Sequence, residues 1–161
     1  MSTWIDPKTW YQQLPSFYAS AAALITSPDG DVLLVKPTYR DHWAFPGGYI
    51  EAGEYPHEGC DREIREELAL QMPVGPLLVL DWAPPAGPRP RAIISFTFDC
   101  GTLPDLSSIK LDSDELEDCA FLPPDEATSR LPTNVAPRVK AALEARHLGK
   151  TLYLSSSANS I

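Results

Sequence analysis

The sequence predicts one α/β domain built around a mixed β-sheet. Three observations support this prediction: apolar, β-branched segments alternate with amphipathic ones over 161 residues, no internal repeat occurs, and no linker divides the chain. The 43% hydrophobic and 22% charged content is that of a globular protein. A chain of this length can bury a sufficient core without disulfide bonds. We therefore expect a single domain over residues 1–150, followed by a flexible tail over 151–161.

Five segments have the apolar, β-branched or aromatic composition of strands. They cover residues 17–26, 32–35, 74–82, 91–100 and 116–122. The first two are separated by Ser27-Pro28-Asp29-Gly30-Asp31, whose residue types favour a tight turn. The third and fourth are separated by "APPAGPRP", which we predict to be a loop because proline interrupts both helices and interior strands.

Two segments are predicted helices. Residues 56–68 begin with Pro56, which suits the first helical position because the missing N–H has no partner there. Residues 134–147 carry apolar side chains at helical spacing and are followed by Gly149, a common helix-terminating residue.

The charge and composition argue against several functional classes. A formal net charge of −9 argues against binding a nucleic-acid polymer, because that binding requires a basic surface. No apolar run approaches the roughly 20 residues needed to cross a bilayer. The N-terminus lacks the basic and apolar regions of an export signal, so we expect a cytoplasmic protein. The sequence leaves the oligomeric state open, a homodimer included.

The three cysteines suggest neither disulfides nor a zinc site. Cys60, Cys100 and Cys119 are odd in number and widely spaced, so ordinary buried or half-buried thiols are expected.

The helix at 56–68 places three carboxylates on one arc. Successive residues are rotated by about 100° around the helix axis. With Glu63 taken as zero, Glu66 lies at about 300° and Glu67 at about 40°. Acids near a helix C-terminus oppose the helix dipole, so this arrangement needs compensation. A solvated acidic face is one interpretation. The other is a hard divalent cation such as Mg2+, which prefers carboxylate oxygens.

The outer arc of the same helix has a simpler interpretation. Glu58 with Arg62 and Asp61 with Arg65 are expected to form i,i+4 surface pairs worth a few tenths of a kcal/mol each. Three residues on a further stripe are expected to pack on the sheet. They are Cys60, Ile64 and Leu68.

Glycines precede this helix in a distinctive order. Pro46, Gly47 and Gly48 predict a turn with close backbone approach, and Gly53 allows a second turn just before the helix. We therefore expect the loop, the turns and the acidic helix to form one compact unit.

This stretch resembles the Nudix box, whose pattern is G-x5-E-x7-R-E-U-x-E-E-x-G-U, where U is a bulky aliphatic residue. The positions that match are Gly48, Glu54, Arg62, Glu63, Ile64, Glu66, Glu67 and Leu70. Ala69 stands where the family has its second glycine. Because an alanine in a left-handed cap costs about 1–2 kcal/mol, we expect the helix to end differently and Ala69→Gly to be neutral or mildly destabilising.

The resemblance implies an α/β/α sandwich and metal-dependent hydrolysis of a diphosphate linked to another moiety. It implies Glu63, Glu66 and Glu67 as ligands of Mg2+, for which Mn2+ can substitute, with the Gly48 carbonyl as a further ligand. Arg62 would orient the loop and the helix together with Glu54.

Glu66 or Glu67 is then the expected base for the attacking water. In some family members the base comes from a later loop, where Glu115 and Glu117 are the candidates here.

Three residues just before the box are candidates for substrate contact. Lys36 and Arg40 flank the second strand and could meet a phosphate, and Trp43 could line the pocket or belong to the core. The expected substrate is a small-molecule diphosphate, in first place a nucleotide or a nucleoside-diphosphate derivative.

Four alternatives remain. A non-nucleotide diphosphate, such as a prenyl or sugar diphosphate, would need no change in the box. A non-catalytic binding module would be expected to have lost one of the three acids. An isopentenyl diphosphate isomerase needs a cysteine before the box, and none precedes Cys60. An acidic scaffold would not explain the register of the glycines.

Overall fold

A computed structural model describes residues 4–155. The helices are α1 (Pro7–Gln13), α2 (Pro56–Leu68), α3 (Pro124–Arg130) and α4 (Pro137–Leu148). The strands are β1 (Tyr18–Thr26), β2 (Val32–Pro37), β3 (Gly47–Tyr49), β4 (Leu77–Ala83), β5 (Ile93–Thr102), β6 (Leu116–Leu122) and β7 (Leu152–Ser155). Over residues 4–155, no helix combines the length and the apolar character that a bilayer span requires.

The strands form one mixed sheet in the order β6-β2-β1-β5-β4-β7, and β3 pairs with β1 beside this path. The β1–β5 and β4–β7 pairs are parallel and the others are antiparallel. One apolar cluster joins α2 to one face of the sheet, and a second joins α3 and α4 to the other face. The predicted α/β class and the α/β/α sandwich are confirmed.

Both predicted helices are present, with α2 at the predicted bounds and α4 beginning three residues later than expected. The buried stripe of α2 is also as predicted, since Cys60, Ile64 and Leu68 are at most 1% exposed. The helices α1 and α3 were not anticipated. A proline pair at the start of α3 resembles a loop in sequence, yet Ala127 of that helix is fully buried in the second cluster.

The predicted turn at Gly47 and Gly48 is instead the short strand β3. Its register aligns Gly47 with Ala22 and Gly48 with Ala21. Gly47 has φ +142°, and a Cβ there would lie 2.2 Å from the backbone oxygen of Ala21. Only glycine allows this approach, so the glycines bring β3 against β1 rather than reversing the chain.

The predicted flexible tail does not hold for residues 152–155, which form β7. Val79 to Trp82 of β4 pair in parallel with this strand, and Leu152 and Leu154 pack against the second cluster. Burial of these two alternating leucines accounts for the strand. The rest of the predicted tail, residues 156–161, lies outside the described part of the chain.

The expectation for Ala69 is wrong, because this residue adopts the left-handed conformation, with φ 54° and ψ 30°. Its N–H donates to the Arg65 carbonyl at 3.0 Å. The next residue, Leu70, is buried in the core beside α2. The chain must turn sharply at Ala69 to bury Leu70, so tertiary packing imposes the strained conformation.

Ala69→Gly is therefore expected to stabilise the fold by about 1 kcal/mol, because glycine adopts this conformation without the Cβ clash. Thermal unfolding should show a Tm higher by roughly 2–4 °C. Ala136→Gly is the control. Ala136 has φ −47° at the start of α4, so the same change there should leave Tm equal or lower. An unchanged or lower Tm for Ala69→Gly would contradict the interpretation that the backbone of Ala69 is strained.

Candidate active site

Hydrogen bonds and ion pairs within α2 determine where its charged side chains point. At its start the Glu58 carboxylate accepts the Tyr55 N–H at 2.9 Å, which satisfies one of the free N-terminal donors. The predicted Glu58–Arg62 pair is therefore wrong, because Glu58 caps the helix and Arg62 turns towards the glycine segment. The predicted Asp61–Arg65 pair is confirmed, with Nη2 and Oδ2 2.8 Å apart.

Arg62 connects the acidic residues of the box. Its Nε donates to Glu54 Oε1 at 2.9 Å, and its Nη1 lies 2.9 Å from both Glu63 Oε1 and Glu66 Oε2. Its Nη2 donates to the Tyr49 carbonyl of β3 at 3.0 Å. These contacts raise the pKa of the guanidinium, the Glu54 hydrogen bond contributing most. One cation thus links α2, the preceding loop and β3.

Glu67 is the most unusual carboxylate of the site. It is only 7% exposed, and its Oε2 accepts the Gly47 N–H at 2.8 Å. Burial raises the pKa of this carboxyl to about 8; the Gly47 hydrogen bond opposes the shift, and the negative charges of Glu63, Glu115 and Glu66 add to it. The protein thus holds a carboxylate where ionisation is costly unless a positive charge is nearby.

Glu63 lies directly against the second glycine of β3. A Cβ on Gly48 would lie 2.4 Å from Glu63 Oε1. Burial raises the pKa of the Glu63 carboxyl, while its contact with Arg62 opposes the shift. The two glycines therefore have different roles: Gly47 supplies an N–H to Glu67, and Gly48 leaves room for Glu63.

The two loop acids proposed as alternative bases lie in different environments. Glu115 is close enough to raise the pKa values of Glu63 and Glu67. Glu117 instead pairs with Lys36, with Oε1 and Nζ 3.0 Å apart. Of the two candidates, the structure brings Glu115 towards the acidic end of α2.

Backbone contacts hold this loop in place. Lys110 N–H donates to the Leu68 carbonyl at 3.0 Å, and Asp112 N–H donates to the Glu67 carbonyl at 3.1 Å. The loop thereby satisfies two of the free carbonyls at the C-terminus of α2.

The donor set suits a hard divalent cation. The carboxylates of Glu63, Glu66 and Glu67 offer only oxygen ligands. Among residues 4–155, the buried Glu67 carboxyl accepts a hydrogen bond from the Gly47 N–H and none from a cationic side chain. Among residues 4–155, no three acidic, histidine or cysteine side chains already converge on one point. The residues fit such a cation in their chemistry, and side-chain rotation would have to complete the coordination.

A cavity of about 320 Å³ opens beside Glu67. Glu67, Gly47 and Gly48 form part of its wall, next to Arg40 and Trp43. Trp43 also packs against the core cluster under α4. The volume lies at the lower end of the range for small-molecule sites.

Lys36 is not brought into this cavity. Its Nζ pairs with Glu117 and also donates to the carbonyls of Pro37 and Arg40. The predicted contact between Lys36 and a substrate phosphate therefore finds no support in its position.

Several site residues escaped the sequence analysis. The Tyr49 carbonyl and the Gly47 N–H are backbone groups without a sequence signature, apart from the glycine pair itself. Ser95 of β5 and Arg138 of α4 also line the cavity, and they lie far from the box in sequence. No spacing rule links them to residues 48–70.

Comparison with known proteins supports the resemblance. A model of the NUDIX domain matches residues 17–145. A MutT-like protein of Streptomyces ambofaciens is 27% identical over 130 residues, or 81% of this chain and 79% of that protein. An ADP-ribose pyrophosphatase of Methanocaldococcus jannaschii is 36% identical over 77 residues, or 46% of this chain and 45% of that protein. The MutT protein from Methanosarcina mazei Go1 shares the fold, with a TM-score of 0.67 at 22% identity over 85% of this chain and 98% of that one.

Proposed function

Because the chain belongs to the Nudix family, we propose that it is a Mg2+-dependent pyrophosphohydrolase that cleaves a diphosphate linkage in a nucleotide or nucleoside-diphosphate derivative by water attack. The chain is a hydrolase of phosphorus-containing acid anhydrides.

The observation that carries the proposal is the buried Glu67 carboxylate at the wall of the cavity, beside Glu63 and Gly48. Glu63, Glu66 and Glu67 would hold Mg2+ or Mn2+, with the Gly48 carbonyl as a further ligand. When bound, such a cation offsets charge on the diphosphate and positions a water for in-line attack.

The chain's own groups then set the geometry of the reaction. Arg62 fixes α2 to the Tyr49 carbonyl and so holds the carboxylates against β3. Gly47 N–H orients the Glu67 carboxylate at 2.8 Å. Trp43 and the apolar part of the wall exclude water from the moiety attached to the diphosphate.

The base that takes the proton from water is Glu66 or Glu67, with Glu115 as the loop alternative. Glu67 lines the cavity, whereas the Glu66 side chain is 58% exposed and tied to Arg62. This difference favours Glu67.

The test is a panel of candidate diphosphates assayed with Mg2+ and with identification of the products. The panel contains ordinary and oxidised nucleoside triphosphates, ADP-ribose, sugar nucleotides and a prenyl diphosphate. We expect cleavage of at least one nucleoside-diphosphate derivative into two phosphate-bearing products. Cleavage of the prenyl diphosphate alone would favour the non-nucleotide alternative, and cleavage of none would favour a binding module.

A further inference from the structure

The segment before β1 exposes many large apolar side chains. Every residue from 4 to 17 is exposed, and α1 buries none of its side chains. The large apolar residues of this segment are Trp4, Ile5, Trp10, Tyr11, Leu14 and Phe17. Single exposed apolar residues are ordinary on a protein surface, whereas a group this close together marks a surface that contacts another molecule.

The helix in this segment begins with clear local signals. The Asp6 carboxylate accepts the Thr9 N–H at 3.1 Å, and Pro7 is the first helical residue. A helix of seven residues is nevertheless only marginally stable in water when its side chains contact nothing else. Packing of its aromatic side chains against a further surface would stabilise it.

A second exposed apolar area lies on the sheet. Cross-strand pairs of β4, β5 and β7 place four apolar side chains on one side, which we call the open face: Leu80, Trp82, Ile94 and Tyr153. This is the side that α2 covers, because Phe96 pairs both with Leu80 and with Ala21 of the apolar cluster that contains α2. Among residues 4–155, neither apolar cluster includes the open face, and Tyr153 is 66% exposed.

The two apolar areas are continuous, yet α1 does not cover the open face of its own chain. Phe17 packs edge-to-face on Trp82, with ring centroids 5.2 Å apart. Before it, Leu14 has extended backbone, with φ −72° and ψ 145°, which the following proline favours. This extended connection carries α1 away from the sheet, where the helix stays exposed. Both areas can therefore be covered together only by another molecule.

The charge of the segment argues against an ionic partner. Residues 4–17 contain one acid, Asp6, and one base, Lys8, so the segment has no net charge in a chain of net charge −9. A basic protein would need acidic residues here, and an anionic lipid surface would need basic ones.

The size and shape of the two areas fit a second copy of the chain. Large apolar side chains present about 150–250 Å² each when fully exposed, so the exposed parts of the two areas amount to roughly 800 Å². This is one partner's share of a standard protein interface, about 800 Å². A narrow helix next to a flat sheet face is also self-complementary, because a twofold rotation places each helix on the face of the other copy.

We propose that two copies of this chain associate through a twofold interface in which α1 of each copy packs on the open face of the other. Trp10 and Tyr11 supply the aromatic contacts from α1, and Trp82 and Tyr153 receive them. Tryptophan and tyrosine are the residue types that contribute most to binding at such interfaces. The interface needs neither substrate nor metal, so it is independent of the proposed function.

Sedimentation equilibrium of the full chain tests the association. We expect a dimer with a Kd at or below about 10 µM, the weaker end of the range for an interface of this size. A chain that remains monomeric at about 100 µM would overturn the proposal.

Tryptophan fluorescence provides a second readout. The sequence contains four tryptophans, of which Trp4, Trp10 and Trp82 lie in the two apolar areas and Trp43 packs against the second cluster. Dilution below the Kd should expose the first three to water and shift the emission to longer wavelength. Unshifted emission during dissociation would show that the copies associate through another surface.

Two variants separate the helix from the face. Trp10→Ser with Tyr11→Ser changes α1, and Tyr153→Ser changes the open face; all three side chains are at least 50% exposed, so the fold should persist by circular dichroism. Each variant should raise the dimer Kd at least about tenfold. Tyr39→Ser is the matched control, because Tyr39 is 67% exposed but lies outside both areas, and its Kd should stay within about twofold of wild type. An unchanged Kd in either test variant would contradict the proposed contact.

A mixture of the two test variants distinguishes the crossed arrangement from contact between the two α1 helices. In a crossed mixed dimer, one intact helix meets one intact face, and the two changed surfaces meet each other. Because the helix and face residues are in contact, their losses then coincide, so the mixed dimer should be tighter than the average of the two variant dimers. Equal association in the mixture and in the separate variants would contradict the crossed arrangement.

Discussion

Glu67→Gln is expected to lower kcat by about 10²–10³-fold on a confirmed substrate, the usual cost of losing one preorganised charged group. Glutamine has nearly the same size and can still accept the Gly47 N–H that Glu67 now accepts at 2.8 Å. The segment β3 should therefore stay in place while an anionic ligand or the base itself is lost. Steady-state kinetics at saturating Mg2+ would measure the effect.

The same variant is expected to be more stable than wild type when metal is absent. Burial raises the folded-state pKa of Glu67 to about 8, above its ordinary value of 4.5. Stability linked to this group is fully present below its unfolded pKa and is lost as the pH rises through its folded pKa. The Tm of Glu67→Gln should therefore exceed that of wild type by more at about pH 9 than at about pH 5, measured in EDTA.

Asp61→Asn is the control on the same helix. Within the described residues 4–155, Asp61 forms an ion pair with the exposed Arg65 on the outer arc, at 2.8 Å. Such a pair contributes well under 1 kcal/mol, so kcat should change less than about threefold. Equal rates for Glu67→Gln, Asp61→Asn and wild type would show that the catalytic residues do not lie on α2.

Removal of divalent metal with EDTA is expected to abolish hydrolysis, and addition of Mg2+ or Mn2+ in excess is expected to restore it. Burial raises the pKa of the Glu63 and Glu67 carboxyls, and the nearby negative charges of Glu66 and Glu115 raise both further. A cation would stabilise the ionised forms of these groups. Activity assays before and after chelation measure the dependence directly.

Thermal unfolding provides a second readout that needs no substrate. A ligand that binds only the folded state at one hundred times its Kd stabilises that state by about 2.7 kcal/mol. Mg2+ should therefore raise the Tm of the wild-type protein and raise that of Glu67→Gln less. Full hydrolytic activity in a metal-free sample, or an equal Tm increase in both proteins, would contradict a metal site at these carboxylates.

Local sequence determined the acidic helix and its orientation. The bounds of α2 and its buried stripe follow from the 3.6-residue period, since each apolar side chain lies on one face whatever surrounds it. The same period places Glu63, Glu66 and Glu67 on one arc. The spacing of the glycines before the helix is also visible in the sequence, and together these features were sufficient to indicate the family.

Tertiary structure decided everything that depends on residues far apart in the chain. Burial of Leu70 forces Ala69 into the left-handed region, and burial of Leu152 and Leu154 turns a predicted tail into β7. Glu58 and Arg62 have the spacing of a surface pair, yet Arg62 instead contacts Glu54, Glu63, Glu66 and the Tyr49 carbonyl. Arg138 meets Asp81, 57 positions away in sequence, only because α4 packs across β4. Periodicity governs the side chains of one element, whereas contacts between elements depend on how the whole core packs, which no local pattern specifies.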